Sequence, residues 1–165
     1  MPREISLIFP GQGSQHLGML SEELTYSHID IINKSSDLLN FDIKSIINAD
    51  SDETLNKTSY TQPALLLTSY LYFLTFKKLS NIKPTLMAGH SLGEYSALVA
   101  ADAIDFYDAL KLVHRRGVLM EEAPNGLMAA IIGLDALVLH DICEEVSSQN
   151  NIVSCANLNS PMQTV

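Results

Sequence analysis

Five residues, Gly89-His90-Ser91-Leu92-Gly93, carry the G-x-S-x-G spacing of a nucleophile elbow, in which a serine sits on a sharp turn between a strand and a helix. A serine held this way can attack a carbonyl carbon if a base takes its proton and N–H donors stabilise the oxyanion. Three fixed positions in five recur by chance, so the flanks decide the reading. Ahead of the motif runs Pro84-Thr85-Leu86-Met87-Ala88, which predicts a short buried parallel strand. Behind it, residues 92–101 are rich in helix formers, with Glu94 in the first turn, where a negative charge suits the helix dipole. The flanking glycines allow a strained turn and close packing of strand on helix. The structural alternative is a glycine-rich helix start with Ser91 as its cap.

Two other segments hold candidate site residues. Residues 5–9 predict a buried strand that ends in Pro10-Gly11-Gln12-Gly13-Ser14-Gln15. That loop lacks the third glycine and the acidic residue of a dinucleotide fingerprint, and no Gly-Lys-Ser/Thr makes it a P-loop. Loops at the C-terminal ends of buried strands are where α/β sheets contact ligands, so Gln12 either faces a site or belongs to a solvated turn. On the helix predicted over residues 105–122, Asp108, Lys111, Arg115 and Glu122 share a polar face. Arg116 falls instead among Ala109, Leu112, Val113, Leu119, Met120 and Ala123. A charge on an apolar stripe needs a partner. It either snorkels to solvent or to a structural carboxylate, or it clamps a substrate carboxylate in a bidentate pair. Arg115 is expected to be a surface charge.

The remaining chain supplies the elements that hold these residues. Residues 17–39 predict one or two helices with polar faces, and residues 42–48 a short helical turn. Asp50 to Glu53 form an acidic loop, read as a solvated connection and not as a metal site. Thr61-Gln62-Pro63 is expected to open a long helix, with Thr61 as cap and Pro63 in the first turn. That helix is apolar nearly all round to about residue 79, so it should be buried. At Ala123-Pro124-Asn125-Gly126 the pattern breaks. Beyond it, residues 127–134 predict a strand, residues 135–149 a helix, residues 152–156 a strand and residues 157–161 a turn, with a further strand starting at Met162. The boundary near Asn125 divides a first domain, residues 1–125, from a small β-α-β subdomain that begins at residues 126–165.

With 47% apolar residues in 165, the chain can build a packed core, and the composition argues against disorder. The net charge of −9 argues against a nucleic-acid partner and requires a local cation for any anionic substrate. Cys143 and Cys155 have no metal-ligand spacing and fit a reduced, cytoplasmic protein. No leader is expected at the start, and the most apolar stretch, residues 64–74, is interrupted by Thr68, Ser69 and Tyr70 and is too short to span a bilayer. No metal or cofactor is implied, and no membrane partner.

Six segments together resemble the malonyl-CoA:acyl carrier protein transacylase family of fatty acid synthesis. They are residues 9–15, 61–65 and 89–94, Arg116-Gly117, residues 128–133 and residues 157–161, in order along the chain. The resemblance implies an α/β-hydrolase-like large domain with a parallel sheet and an inserted ferredoxin-like subdomain, here incomplete. It implies that Ser91 takes malonyl from malonyl-CoA as an ester and passes it to the phosphopantetheine thiol of acyl carrier protein. It gives Gln12 and Leu92 as oxyanion-hole positions that donate backbone N–H groups, and Arg116 as the residue that binds the malonyl carboxylate. A polyketide-type acyltransferase with another acyl choice and a general hydrolase are the enzyme alternatives. A non-catalytic remnant that retains thioester or carrier-protein binding is the alternative of another class.

The general base is where the chain departs from the family. Its catalytic histidine comes after the small subdomain, and elbow enzymes in general place the histidine last. None of His16, His28, His90, His114 and His140 matches that position. The chain is therefore expected to be an N-terminal part of the family's domain that exposes surface the remainder would cover.

Overall fold

The computed structural model describes residues 4–124 and 126–165; residues 1–3, where the absence of a leader was read, and Asn125, at the expected domain edge, lie outside them. The chain divides into two compact units, one through Ala123 and one from Pro124 to Val165.

In the first unit, β1 (Ser6–Phe9) and β2 (Leu86–Gly89) pair in parallel, from Ser6 opposite Leu86 to Phe9 opposite Gly89. Parallel pairing brings both C-terminal ends together, so the 10–15 loop and the elbow open at one edge of the sheet. One sheet face packs on helices through a cluster of Phe9, Phe73, Ala97 and Ala100, with Leu7 and Met87 against it. The strands expected to be buried are therefore covered on one face only: Phe9 is the one buried residue of β1 and β2, and Ile8 and Leu86 on the other face are exposed. Phe9 and Phe73 meet edge to face at 6.3 Å.

The helices follow from local signals. α1 (Glu22–Ser27) is capped by Ser21, which accepts from the Leu24 N–H. α2 (Ile29–Leu39) ends at Asn40 in the left-handed region, and α3 (Ile43–Ile47) is capped by Asp42. α4 (Thr58–Leu79) is the buried helix the composition predicts, with residues from Ser59 to Phe73 almost continuously inside. α5 (Leu92–Ala100) follows the elbow, and α6 (Phe106–Glu121) starts at Asp105, which accepts from the Tyr107 and Asp108 N–H groups. Ile43, Ile47, Leu66, Leu67, Leu71, Leu110 and Val113 are fully enclosed in the main core. Each such side chain contributes about 1.5–3 kcal/mol of apolar burial.

α4 starts three residues before the expected cap at Thr61, so Pro63 lies inside the helix. A helical proline has no N–H, which leaves the carbonyl four residues earlier without its donor. That carbonyl belongs to Ser59, and His114 of α6 approaches it at 3.0 Å through Nδ1. The Ser59 N–H, free because it lies in the first turn, donates to Glu121 of α6 at 2.8 Å. Thr61 turns inward instead of capping, and its hydroxyl donates to the carbonyls of Leu55 and Lys57. α6 comes this close because Gly117 has no side chain: a Cβ there would stand 2.7 Å from the Ser59 Cα.

The second unit holds β3 (Ile131–Ile132), α7 (Ala136–Val146), β4 (Leu158–Ser160) and β5 (Gln163–Thr164), in an antiparallel sheet of order β3-β5-β4. The strand expected at 152–156 is not formed, and the turn expected at 157–161 is largely β4. A tight hairpin through Pro161 decides this, in which the Met162 N–H donates to the Ser160 hydroxyl and residues 156 and 157 bond to Val165. The apolar segment before it is held instead by the Ser147 hydroxyl, which bonds both peptide groups of Val153. On α7, Leu139 and Cys143 are buried, while Ile142 and Val146 of the expected stripe are exposed. Burial and hydrogen bonding with Cys143 push the Cys155 thiol above the ordinary range, and both cysteines are free.

The architecture is α/β, with a parallel sheet and packed helices. Among the described residues, no helix is long and apolar enough to cross a membrane, and no group of His, Cys, Asp or Glu is arranged to hold a metal.

Candidate active site

Ser91 has φ 53° and ψ −111°, a backbone region that non-glycine residues avoid at a cost of about 1–3 kcal/mol. The strain is held by packing on either side. A Cβ on Gly89 would lie 2.0 Å from the Gly93 backbone, and one on Gly93 would lie 2.3 Å from the Phe9 carbonyl oxygen. Strand, turn and helix can therefore interlock only with glycine at both places. The turn closes through bonds from the Gly93 N–H to the His90 carbonyl at 2.9 Å and from the Glu94 N–H to the Ser91 carbonyl at 3.2 Å. The Ser91 hydroxyl is left exposed at the N-terminus of α5.

Leu92 has its side chain wholly in the core. Its N–H, at the first position of α5, has no intrahelical acceptor and no other acceptor among the described residues. The loop with Gln12 lies beside the elbow, since Gly11 packs against the His90 carbonyl. The Gln12 side chain is engaged with the start of α4. Its Nε2 donates to Thr58 Oγ1 at 3.1 Å, which ties the loop to the start of α4, and Gln15 adds a bond to Asn56 at 3.0 Å. The Gln12 N–H likewise has no acceptor among the described residues.

Arg116 reaches the elbow directly. One guanidinium nitrogen donates to Ser91 Oγ at 3.1 Å, and the other donates to Gln62 Oε1 at 2.8 Å. Its carbon lies 5.8 Å from the Tyr95 ring centroid. The stripe expected around it needs correction. The buried face of α6 is Phe106, Ala109, Leu110, Val113 and Gly117, whereas Leu112, Leu119 and Met120 are about half exposed. Arg116 is a half-buried residue at the edge of that face and not at the centre of an apolar stripe. No carboxylate pairs with it among the described residues, where Lys111 pairs with Asp108 at 2.7 Å and His140 Nδ1 lies 4.0 Å from Glu144.

Gln62 is the site residue that the sequence reading missed. It is fully buried on α4, accepts from Arg116 and donates through Nε2 to Met120 Sδ at 3.2 Å. Its signal was a lone amide on a helix otherwise apolar all round, but Thr61-Gln62-Pro63 read more simply as a helix start.

None of the five histidines bonds to Ser91 among the described residues. His16 lies 3.2 Å from the Ser14 carbonyl, and His28 meets the Thr75 hydroxyl at 3.1 Å. Burial, with Lys78 nearby, holds the His28 imidazole below its ordinary pKa. His114 belongs to the α4–α6 contact, and His140 lies on α7.

An exposed serine on a strained strand-to-helix turn, two N–H groups and an arginine, both without an acceptor or carboxylate partner among the described residues, stand together at this end of the sheet. The acyl transferase domain family matches residues 6–165, and the chain belongs to that family. It is 45% identical over 169 residues to the malonyl CoA-acyl carrier protein transacylase of Haemophilus influenzae, a match covering 99% of this chain and 54% of the relative. It is 44% identical over 167 residues to that of Escherichia coli K12, covering 98% and 54%. The fold matches the solved malonyl CoA-acyl carrier protein transacylase of Coxiella burnetii with a TM-score of 0.86 at 43% identity, covering 99% of this chain and 53% of that one. It also matches a malonyl-transacylase solved with its type II PKS acyl-carrier protein, with a TM-score of 0.84 at 46% identity, covering 98% and 54%. The chain spans about half the length of the curated relatives it matches.

Proposed function

We propose that this chain carries the nucleophile and the acyl-selecting arginine of an enzyme that moves malonyl from malonyl-CoA to the phosphopantetheine thiol of acyl carrier protein, in fatty acid biosynthesis in the cytoplasm. The observation that carries this reading is the 3.1 Å contact between Ser91 Oγ and Arg116, an arginine with no carboxylate partner among the described residues. A malonyl ester on Ser91 ends in a free carboxylate close to that guanidinium, which can exchange its bond to Oγ for a bidentate pair.

Ser91 Oγ attacks the thioester carbonyl, and its proton passes to a base. The N–H groups of Leu92 and Gln12 hold the oxyanion, each donor being worth about 3–4 kcal/mol. The C–S bond then breaks, and coenzyme A leaves as the protonated thiol. In the second half the carrier thiol attacks the ester, and Ser91 recovers its proton. Ping-pong kinetics follow. The base is a histidine from the part of the domain that this chain does not span. In fold terms, residues 1–125 form the start of an α/β-hydrolase-like domain and residues 126–165 the start of a ferredoxin-like subdomain. The relative solved with a type II PKS carrier supports a second reading, the same chemistry serving polyketide synthesis.

The test joins this chain to the portion of the Haemophilus influenzae relative outside the match and compares malonyl with acetyl transfer. Hydrogen bonds to a charged group contribute about 1.5–3 kcal/mol, so Arg116→Ala should cost malonyl about 10- to 150-fold more in kcat/KM than acetyl. Equal losses for both would reject the carboxylate clamp.

A further inference from the structure

We propose that Cys143 and Cys155 form an oxidation site in the second unit, at which a small uncharged disulfide converts the two thiols into one disulfide bond between them. The inference uses neither the acyl site nor the reading of its substrate.

Local structure brings the two residues together. Cys143 lies on the buried side of α7 with Leu139, at 8% exposure. One turn further on, Ser147 ends the helix, its N–H donating to the Cys143 carbonyl at 3.1 Å. The Ser147 hydroxyl then bonds both peptide groups of Val153, at 3.0 and 3.1 Å, which lays the 152–156 segment beside the end of α7. Cys155 follows two residues later, and the next N–H, of Ala156, donates to the Val165 carbonyl at 2.7 Å. Tethered from both sides, the Cys155 thiol comes into hydrogen-bonding contact with Cys143.

A disulfide needs its sulfurs about 2 Å apart, closer than two thiols in contact, so one residue must move. Cys155 is the one free to do so. Among the described residues the peptide groups of Ser154 and Cys155 make no hydrogen bond, whereas Cys143 is held in the helix.

The surroundings select the reagent. The two thiols face a cavity of about 420 Å³ lined otherwise by apolar side chains and Ser154. Leu127 and Ile152 in its wall are exposed, so it opens to solvent. No charged side chain lines it, so an ionic reagent would lose its water with nothing to replace it, and a small uncharged one enters at less cost. Burial holds the Cys155 thiol above its ordinary pKa, so the pair rests protonated near neutrality and reacts with excess reagent.

The exchange takes two steps. The thiolate of Cys155, the more exposed residue, attacks one sulfur of the reagent, the reagent S–S bond breaks, and one thiolate leaves and is protonated. The Cys143 thiolate then attacks the Cys155 sulfur of the mixed disulfide, and the second reagent thiolate leaves and is protonated. The leaving groups take up the two protons that the cysteines release. Two protein thiols are oxidised, and one reagent disulfide is reduced to two thiols. In reducing surroundings the pair returns to free thiols, its state in this structure.

The test incubates the 165-residue chain with excess hydroxyethyl disulfide and reads the intact mass after an acid quench. The parent should lose about 2 Da, retain no free thiol and yield a proteolytic fragment joining Cys143 to Cys155. Cys143→Ser should stop at the mixed disulfide, with one reagent group retained on Cys155. Against the same reagent couple, closure should be about tenfold or more favoured in the folded chain over the chain in guanidinium, because the fold holds the sulfurs together. Mixed disulfides that persist on the parent, a bond between two chains, or equal closure folded and unfolded would each overturn the proposal. The parent comparison needs no substitution, so it decides even if Cys143→Ser fails to fold. Should the chain alone aggregate, the joined fragment is read from the single-chain fusion. Labelling of Ser91 tests the acyl reading separately, and neither result decides the other.

Discussion

A single methyl at Gly117 should loosen both the core and the site. In Gly117→Ala the new carbon would stand 2.7 Å from the Ser59 Cα and 2.7 Å from the Thr58 oxygen. Both atoms are backbone, so neither can rotate away, and the helices must separate by about 0.7 Å to restore ordinary contact. Separation stretches the two bonds that satisfy the Ser59 peptide groups, from His114 at 3.0 Å and to Glu121 at 2.8 Å. Overpacking of this kind costs about 1–3 kcal/mol, and weakening two hydrogen bonds puts the loss near the upper end. With a urea m-value of about 2 kcal/mol/M, the midpoint should fall by about 1.5 M with an unchanged slope. Circular dichroism of the urea transition measures this, beside Gly126→Ala as control, where an added Cβ meets nothing within 4 Å. A loss below about 0.5 kcal/mol, no more than an ordinary surface change, would refute the account of the helix crossing.

Other perturbations separate the roles of individual groups. Gln62→Leu removes the acceptor that orients Arg116, so the fused enzyme should lose malonyl preference by about tenfold while acetyl transfer holds; a proportional fall in both would mean that Gln62 serves packing alone. Asp42→Ala removes the cap of α3, where the carboxylate accepts from the Ser45 N–H at 3.0 Å and the Ser45 hydroxyl at 2.6 Å, and should cost about 1 kcal/mol at pH 7. Those bonds hold the Asp42 pKa below 3.8, so the difference from the parent should persist above that pH and vanish as acid carries it through the lower, folded value. His28 has its pKa lowered by burial and by Lys78, so the unfolded chain binds the extra proton first. Stability should fall as pH drops from 6.5 toward the folded value, and melting curves of His28→Gln should show a shallower decline; equal slopes would remove His28 as the cause.

The elements that position Ser91 were legible because their signals are local. An apolar run, a glycine-flanked turn and a stretch of helix formers define β2, the elbow and α5 without help from the rest of the chain. The start of α4 was not legible, because what makes Thr58 and Ser59 helical is a pair of side chains more than fifty residues away on α6. Arg116 was singled out for an imperfect reason. A helical wheel gives Gly117 no weight, yet Gly117 is the contact point that turns the buried face of α6 and leaves Arg116 at its edge, aimed at Ser91. The segment 152–156 had the pattern of a strand, but the hairpin through Pro161 competes for the same sheet and closes over a shorter loop. Gln62 needed the packing of two helices before its amide had a meaning.

The intact mass of the fused protein after incubation with malonyl-CoA, beside its Ser91→Ala variant, tests the central claim most directly. The account predicts a gain of one malonyl group on the parent, chased off by the carrier thiol, and none on the variant. Persistent labelling of Ser91→Ala, or no labelling of a folded parent, would contradict it.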